Sequence, residues 1–166
     1  MSKQVVEQLS PEQGLFELTL MNGETKDYDF DTMVVDAINR GLPPEVITRL
    51  KELWEKTKVV AGEVISVGKI IVQQILEFIK SNPKLSIGMA IGAAVAVLIS
   101  GIPVLGPLLA PIAAAVSIVY FGSVGALMDK GKNPGSISEG AIELATKFFE
   151  LLKSIFNAVM QYWSES

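Results

Sequence analysis

Residues 85–128 read LSIGMAIGAAVAVLISGIPVLGPLLAPIAAAVSIVYFGSVGALM, a run of 44 positions without one charged side chain. About 20 apolar residues cross a hydrocarbon core, so the run is long enough for two passes. Its middle carries the residues that stop helices. Gly101-Ile-Pro103-Val-Leu-Gly106-Pro107-Leu-Leu-Ala-Pro111 sets prolines four apart, each lacking a backbone donor and clashing with the turn before it. A first helix is expected to end near Gly101. A second is expected to begin at Pro107 or Pro111, since proline is tolerated in a first helical turn, and to run to about Met128. The reading is a mainly α membrane protein built on a helical transmembrane hairpin, which turns on Gly101, Pro103, Gly106, Pro107 and Pro111.

Within the first span Gly88, Gly92, Ala96 and Ser100 recur every fourth residue, a small-residue stripe of the kind that lets another backbone approach closely. Lys80 and Lys84 precede the run, and Lys130 and Lys132 follow it. The positive-inside tendency then places both ends, and both termini, on the cytoplasmic side of an inner or plasma membrane. The opening Met1-Ser-Lys-Gln-Val-Val-Glu-Gln has no apolar signal core, which agrees with a cytoplasmic start.

On either side of the run the chain divides into three further parts. Residues 1–42 hold three bases and eight acids and form a small acidic unit. Leu15-Phe-Glu-Leu-Thr-Leu20 alternates apolar and polar residues, so a β-hairpin over 15–30 is expected. A loop Met21-Asn22-Gly23 would pair Phe16 with Tyr28 and Leu18 with Lys26. A helix over 32–39, capped by Asp31, should end at Gly41. Asp27, Asp29 and Asp31 open like a calcium loop, but Thr32 stands where that loop needs glycine and Ile38 where it needs glutamate.

Residues 43–84 start with Pro43-Pro44-Glu45 and meet no further proline until Pro83. Val46, Leu50, Leu53, Val60, Val64, Val67, Ile71 and Phe78 lie on alternating steps of four and three, an oligomer seam on one long amphipathic helix. Glu63, Lys69 and Glu77 make a third crossing over 59–79 costly, so this helix is read as amphipathic. Residues 129–166 supply a loop and a C-terminal amphipathic helix that begins at a Ser136–Glu139 capping box. Two long helices and a small unit are too few to ring an all-apolar pair, so the hairpin is expected to be covered by lipid or by sibling copies.

The chemistry of the side chains narrows function further. The chain has no cysteine and no histidine, which removes thiol nucleophiles, imidazole bases and the usual zinc ligands. A net charge of -4 argues against nucleic acid as a partner. Gly122-Ser-Val-Gly125 falls inside the apolar run and is not a nucleophile elbow. No catalytic, cofactor-binding or metal-binding residue is assigned, and a non-enzymatic role is expected.

Over residues 85–132 the order of parts resembles the pore-forming domain of colicins. There an uncharged hairpin with a short apolar tip is wrapped by amphipathic helices and followed by a charged segment, here Asp129-Lys130-Gly131-Lys132. The resemblance implies that residues 85–128 are an inserting element. Fewer covering helices, a long helix after the hairpin and an N-terminal β-hairpin depart from that pattern. Three functions follow as expectations. The first is a self-associating membrane anchor or scaffold, bound to the bilayer as a homo-oligomer and presenting its N-terminal unit to a protein partner. The second is a pore-forming or bilayer-disrupting effector, and the third a soluble oligomer that hides the hairpin between subunits.

Overall fold

Ser10 opens the first helix of the computed structural model, which describes residues 9–121 and 139–164. Its hydroxyl accepts from the Gln13 amide at 3.1 Å while the Gln13 side chain accepts from the Ser10 amide at 2.9 Å, a reciprocal cap with Pro11 preset in the first turn. The helix it starts, α1 (Pro11–Glu24), runs through the segment expected to be a β-hairpin. A single tight turn (Thr25–Asp27) and two short helices, α2 (Phe30–Met33) and α3 (Val35–Asn39), complete the region. The expected hairpin over 15–30 is therefore corrected to helix. Gly14, Leu18 and Thr25 are buried at steps of four and seven, whereas Phe16 and Leu20, the outer members of the apparent strand alternation, are 62% and 49% exposed. Burial follows the helical period, and the strand-like alternation is superficial.

Asp29, rather than Asp31, caps α2, accepting from the Thr32 amide at 3.1 Å and from its hydroxyl at 3.0 Å. The expected stop at Gly41 is present, with a φ of 96°. Gly41 donates to the Ile38 carbonyl and Leu42 to that of Ala37, the bond pair that closes a helix through a left-handed residue.

The long heptad rod expected over 43–84 is two helices. The first, α4 (Pro44–Trp54), and the second, α5 (Val67–Ser81), are separated by a tight β-hairpin of β1 (Lys58–Val60) and β2 (Glu63–Ile65). Ala61 and Gly62 make its two-residue loop with φ of 52° and 82°. Positive φ at both loop positions matches the twist of the flanking strands, and the β-branched Val59, Val60, Val64 and Ile65 suit them. The reversal folds the rod back on itself. Gly68 stands against the Leu53 carbonyl, inside the space any Cβ would need, and its amide donates to the Lys56 carbonyl at 3.0 Å. Val46, Leu50, Leu53, Val60, Val67, Ile71 and Phe78 are all buried in the chain's own core, and Val64 is 64% exposed. The expected seam is thus consumed within one molecule.

The apolar run forms α6 (Ile87–Gly101), capped by Ser86, a tight turn (Pro103–Leu105), and α7 (Gly106–Val116) extended by a wide turn (Ser117–Phe121). The expected end at Gly101 and the start with Pro107 in the first turn are both present. The last helical stretch is two pieces, α8 (Glu139–Phe148) and α9 (Glu150–Ala158), and at the break the rings of Phe148 and Phe149 both reach Phe78, at 5.4 and 5.6 Å. After a final turn (Met160–Tyr162), β3 (Trp163–Ser164) pairs with β1, giving the strand order β2-β1-β3. Packing places α6 among α5, α7 and α8, with α4 against α5 and α7, and α1 along α9. The Ser136 cap, Lys130, Lys132 and the expected end of the second span lie outside the described residues.

Folding the rod at Ala61-Gly62 sets α5 against α6 and α4 against α7, so the chain itself supplies part of the cover that the sequence leaves to lipid or sibling copies.

Gly23 is exposed, helical and unobstructed, so Gly23→Ala should stabilise the protein by about 0.5–1 kcal/mol in urea denaturation. A left-handed hairpin glycine would give the opposite sign. Gly68→Ala should destabilise by about 2–3 kcal/mol, because a backbone carbonyl cannot give way as a side chain can.

Candidate functional site

The least polar helix is largely covered. Ala90, Ile91, Ala93, Ala94, Val95 and Leu98 of α6 are fully buried. The stripe of small residues does not meet one partner along its length. Gly88 and Gly92 are buried, Ala96 is half-buried and Ser100 is exposed. Steps of four overshoot a 3.6-residue turn by roughly 40° each, so the stripe winds off its first neighbour within three steps. At its start Gly88 meets the Tyr120 ring, where a Cβ would stand 2.5 Å from Cδ1. At its end the aliphatic stem of Lys153 lies over Gly101, and Asn157 Nδ2 donates to the Gly101 carbonyl at 3.2 Å.

The second half of the hairpin is covered on one side only. Leu105, Leu109, Ile112, Ala113 and Val116 are buried, while Pro103, Pro107 and Pro111 are exposed and Gly106 is half-buried. Ile118 and Val119 continue the open face at 56% and 40% exposure. The proline spacing has a local reason. Pro111 lies inside α7 and has no N–H for the carbonyl of Pro107, and on an exposed face that carbonyl remains open to water. Among the described residues one helical stretch, Pro103–Tyr120, is long and apolar enough to cross a bilayer by length and composition, and a third of it is buried. The 15 residues of α6 reach about 22 Å, short of a hydrocarbon core of roughly 30 Å.

The base of the hairpin is held by an arginine. Arg40 stands 3.9 Å from Asp36, as its i, i+4 spacing suggests. Its stronger contacts are to backbone: Nη1 donates to the Ile79 carbonyl at 2.5 Å and Nη2 to that of Leu85 at 2.6 Å, with Asn82 and Pro83 carbonyls at 3.5 Å. A cation here serves the orphan carbonyls at the negative end of α5 and fixes the link into α6. Lys80 and Lys84 sit exposed on the same junction.

Asn22 holds the other end of α5. Its Oδ1 accepts from the Ser66 amide at 2.7 Å, and its Nδ2 donates to the Val64 carbonyl at 3.4 Å. The sequence places Asn22 in an expected turn and Asn157 in the C-terminal amphipathic helix without a role of its own. Each is instead a side chain that replaces a missing backbone partner, and spacing in a sequence carries no signal for such long-range bonds.

Chemically the arrangement offers apolar surface and little else. Among the described residues no three acidic side chains gather as a metal site would require. No protein family model matches the chain, and no curated protein or solved structure is similar to it.

Arg40→Ala should cost about 2–3 kcal/mol in urea denaturation, because several carbonyls lose a charged donor at once. Arg40→Lys should recover less than half of that, since an ammonium cannot span two carbonyls as the planar fork does. Hydrogen exchange at residues 82–87 should accelerate in both variants.

Proposed function

We propose that the protein acts on a lipid bilayer without catalysing a reaction, entering it from a water-soluble form in which residues 87–121 are sheathed by the chain's own amphipathic helices. The observation that carries this reading is the contrast within the hairpin. Its first helix is buried among α5, α7 and α8, and its second shows the prolines, Ile118 and Val119 to solvent. The open face provides first contact with an acyl boundary, and the sheath provides a reason for the hairpin to stay out of lipid until then. An apolar helix gains little by moving from protein to lipid, because both surroundings are hydrocarbon. The sheath helices gain by laying their apolar stripes in the interface. Once inserted, copies associate through the small residues Gly88 and Gly92, after the Tyr120 ring of the hairpin's own second half has left Gly88.

The anchor reading draws on the same surface but asks the N-terminal unit to stand apart for a partner. Against it, α1 packs along α9, with Gly14 against Ala158, and Arg40 and Asn22 bind α5 and the segments at its ends. A third reading, a soluble molecule whose α7 face is covered by a second copy, predicts a dimer in plain buffer and no affinity for vesicles.

The hairpin tip can be tied to the sheath directly. Because the chain has no cysteine, Gly101→Cys with Lys153→Cys gives one addressable pair, and the Lys153 stem already lies 3.3 Å from a Cβ at Gly101. Before bridging with a short bis-maleimide, the variant should float with vesicles and release an entrapped dye. After bridging it should still float but lose most of the release. Binding without release in either form supports the anchor instead, and no binding at all removes both membrane readings.

A further inference from the structure

We propose that the groove between α4 and α7 seats a zwitterionic phospholipid of the bilayer surface, with an acyl chain along the proline face of α7 and the head group between Glu45 and Arg49. This rests on the membrane reading above and names the lipid class and the residues that select it. The groove has a volume of about 640 Å³ and is lined on one side by Pro111, Ala115, Ile118 and Val119 and on the other by Glu45 and Arg49. That is within the roughly 300–1,000 Å³ of small-molecule sites.

The two walls differ in chemistry in the way an amphiphile does. The α7 wall carries no charge and holds Ile118 and Val119, 56% and 40% exposed. The α4 wall sets a carboxylate and a guanidinium one helical turn apart. Arg49 is bonded to Glu52 at 3.0 Å and its side chain is about half exposed. A guanidinium has five donors, so one such bond leaves others for a phosphate. Glu45 supplies the anionic partner for a choline or ethanolamine ammonium. A head group with phosphate alone would satisfy Arg49 but would meet Glu45, Glu52 and a molecule of net charge -4, which selects against purely anionic lipid.

The test uses Ile118→Cys bearing a single polarity-sensitive nitrobenzoxadiazole label, with vesicles of phosphatidylcholine or phosphatidylglycerol. On phosphatidylcholine the emission should shift to the blue, and binding should be tighter than to phosphatidylglycerol. Glu45→Lys should move the ratio of the two affinities toward phosphatidylglycerol by about tenfold. Glu45→Gln should move it the same way by less, and Arg49→Glu should weaken binding to both. Circular dichroism checks that these surface variants remain folded. If the protein binds vesicles while the label stays in water, or if Glu45→Lys leaves the ratio unmoved, the groove is not the lipid site and the membrane reading stands without it. If neither vesicle is bound, both fall. A label shielded in buffer in proportion to protein concentration, at the mass of a dimer, assigns the groove to a second copy and overturns the proposal.

Discussion

A helix with no polar face has to be surrounded, and α6 imposes that condition on every other element. Its buried side is mostly alanines and glycines, which let neighbours come close, with Ile91, Val95, Leu98 and Ile99 between them, and its ends are fastened by other parts of the chain: Arg40 at the entry from α5, Asn157 at Gly101. The neighbours are helices with one apolar stripe each, and they meet the condition only in sufficient number. The tight turn at Ala61-Gly62 is what provides the number, because it converts one rod into an antiparallel pair, α4 and α5, that covers two sides of the hairpin instead of one. The close fit of Gly68 on the Leu53 carbonyl then lets the pair pack without a gap.

The same condition is left half-met at α7. Its buried side is as apolar as that of α6, but its other side is proline-lined and open. Prolines serve two purposes in that place. They shorten the connection between the two helices, and they keep the carbonyl deprived of its partner on the wet side of the helix, where it costs little. A carbonyl of this kind facing hydrocarbon would have to be satisfied otherwise. The proline face therefore suits a place near the head groups, where water still reaches that carbonyl, better than the centre of a bilayer, and this is the depth at which the proposed first contact through α7 would lie.

Much of the hairpin was legible in the sequence because its signals are local. A charge-free run, Gly101 and a first-turn Pro107 each act within a turn of where they stand, and so does Gly41. The two larger misreadings come from periodicity. Through Val60 and Val64 the steps of a heptad continue across a loop, since a two-residue turn happens to preserve the count. Only the pair of β-branched clusters around Gly62 marked the reversal. In residues 15–20 the alternation of Phe16, Leu18 and Leu20 imitated a strand because two of the three are large apolar residues left at the surface. The Ser10 to Gln13 cap was the better evidence there, being a backbone-satisfying arrangement and not a count of apolar positions. The bonds from Asn22, Arg40 and Asn157 span 39 to 56 residues in sequence, and no spacing rule reports them.

In the proposed insertion, the equilibrium between sheathed and membrane-bound forms is governed by the cover and not by the hairpin. Moving α6 from a protein interior to a lipid interior exchanges one set of dispersion contacts for another, so its own hydrophobicity nearly cancels from the balance. What does not cancel is the loss of the fastenings at its two ends and the gain made by α4 and α9 when their apolar stripes find an interface. Those fastenings are polar and directional, one at the entry to α6 and the other at the hairpin tip. In that proposal the barrier to releasing the apolar segment is set by these few polar side chains, which can be lost one after another while the apolar surface itself stays unchanged.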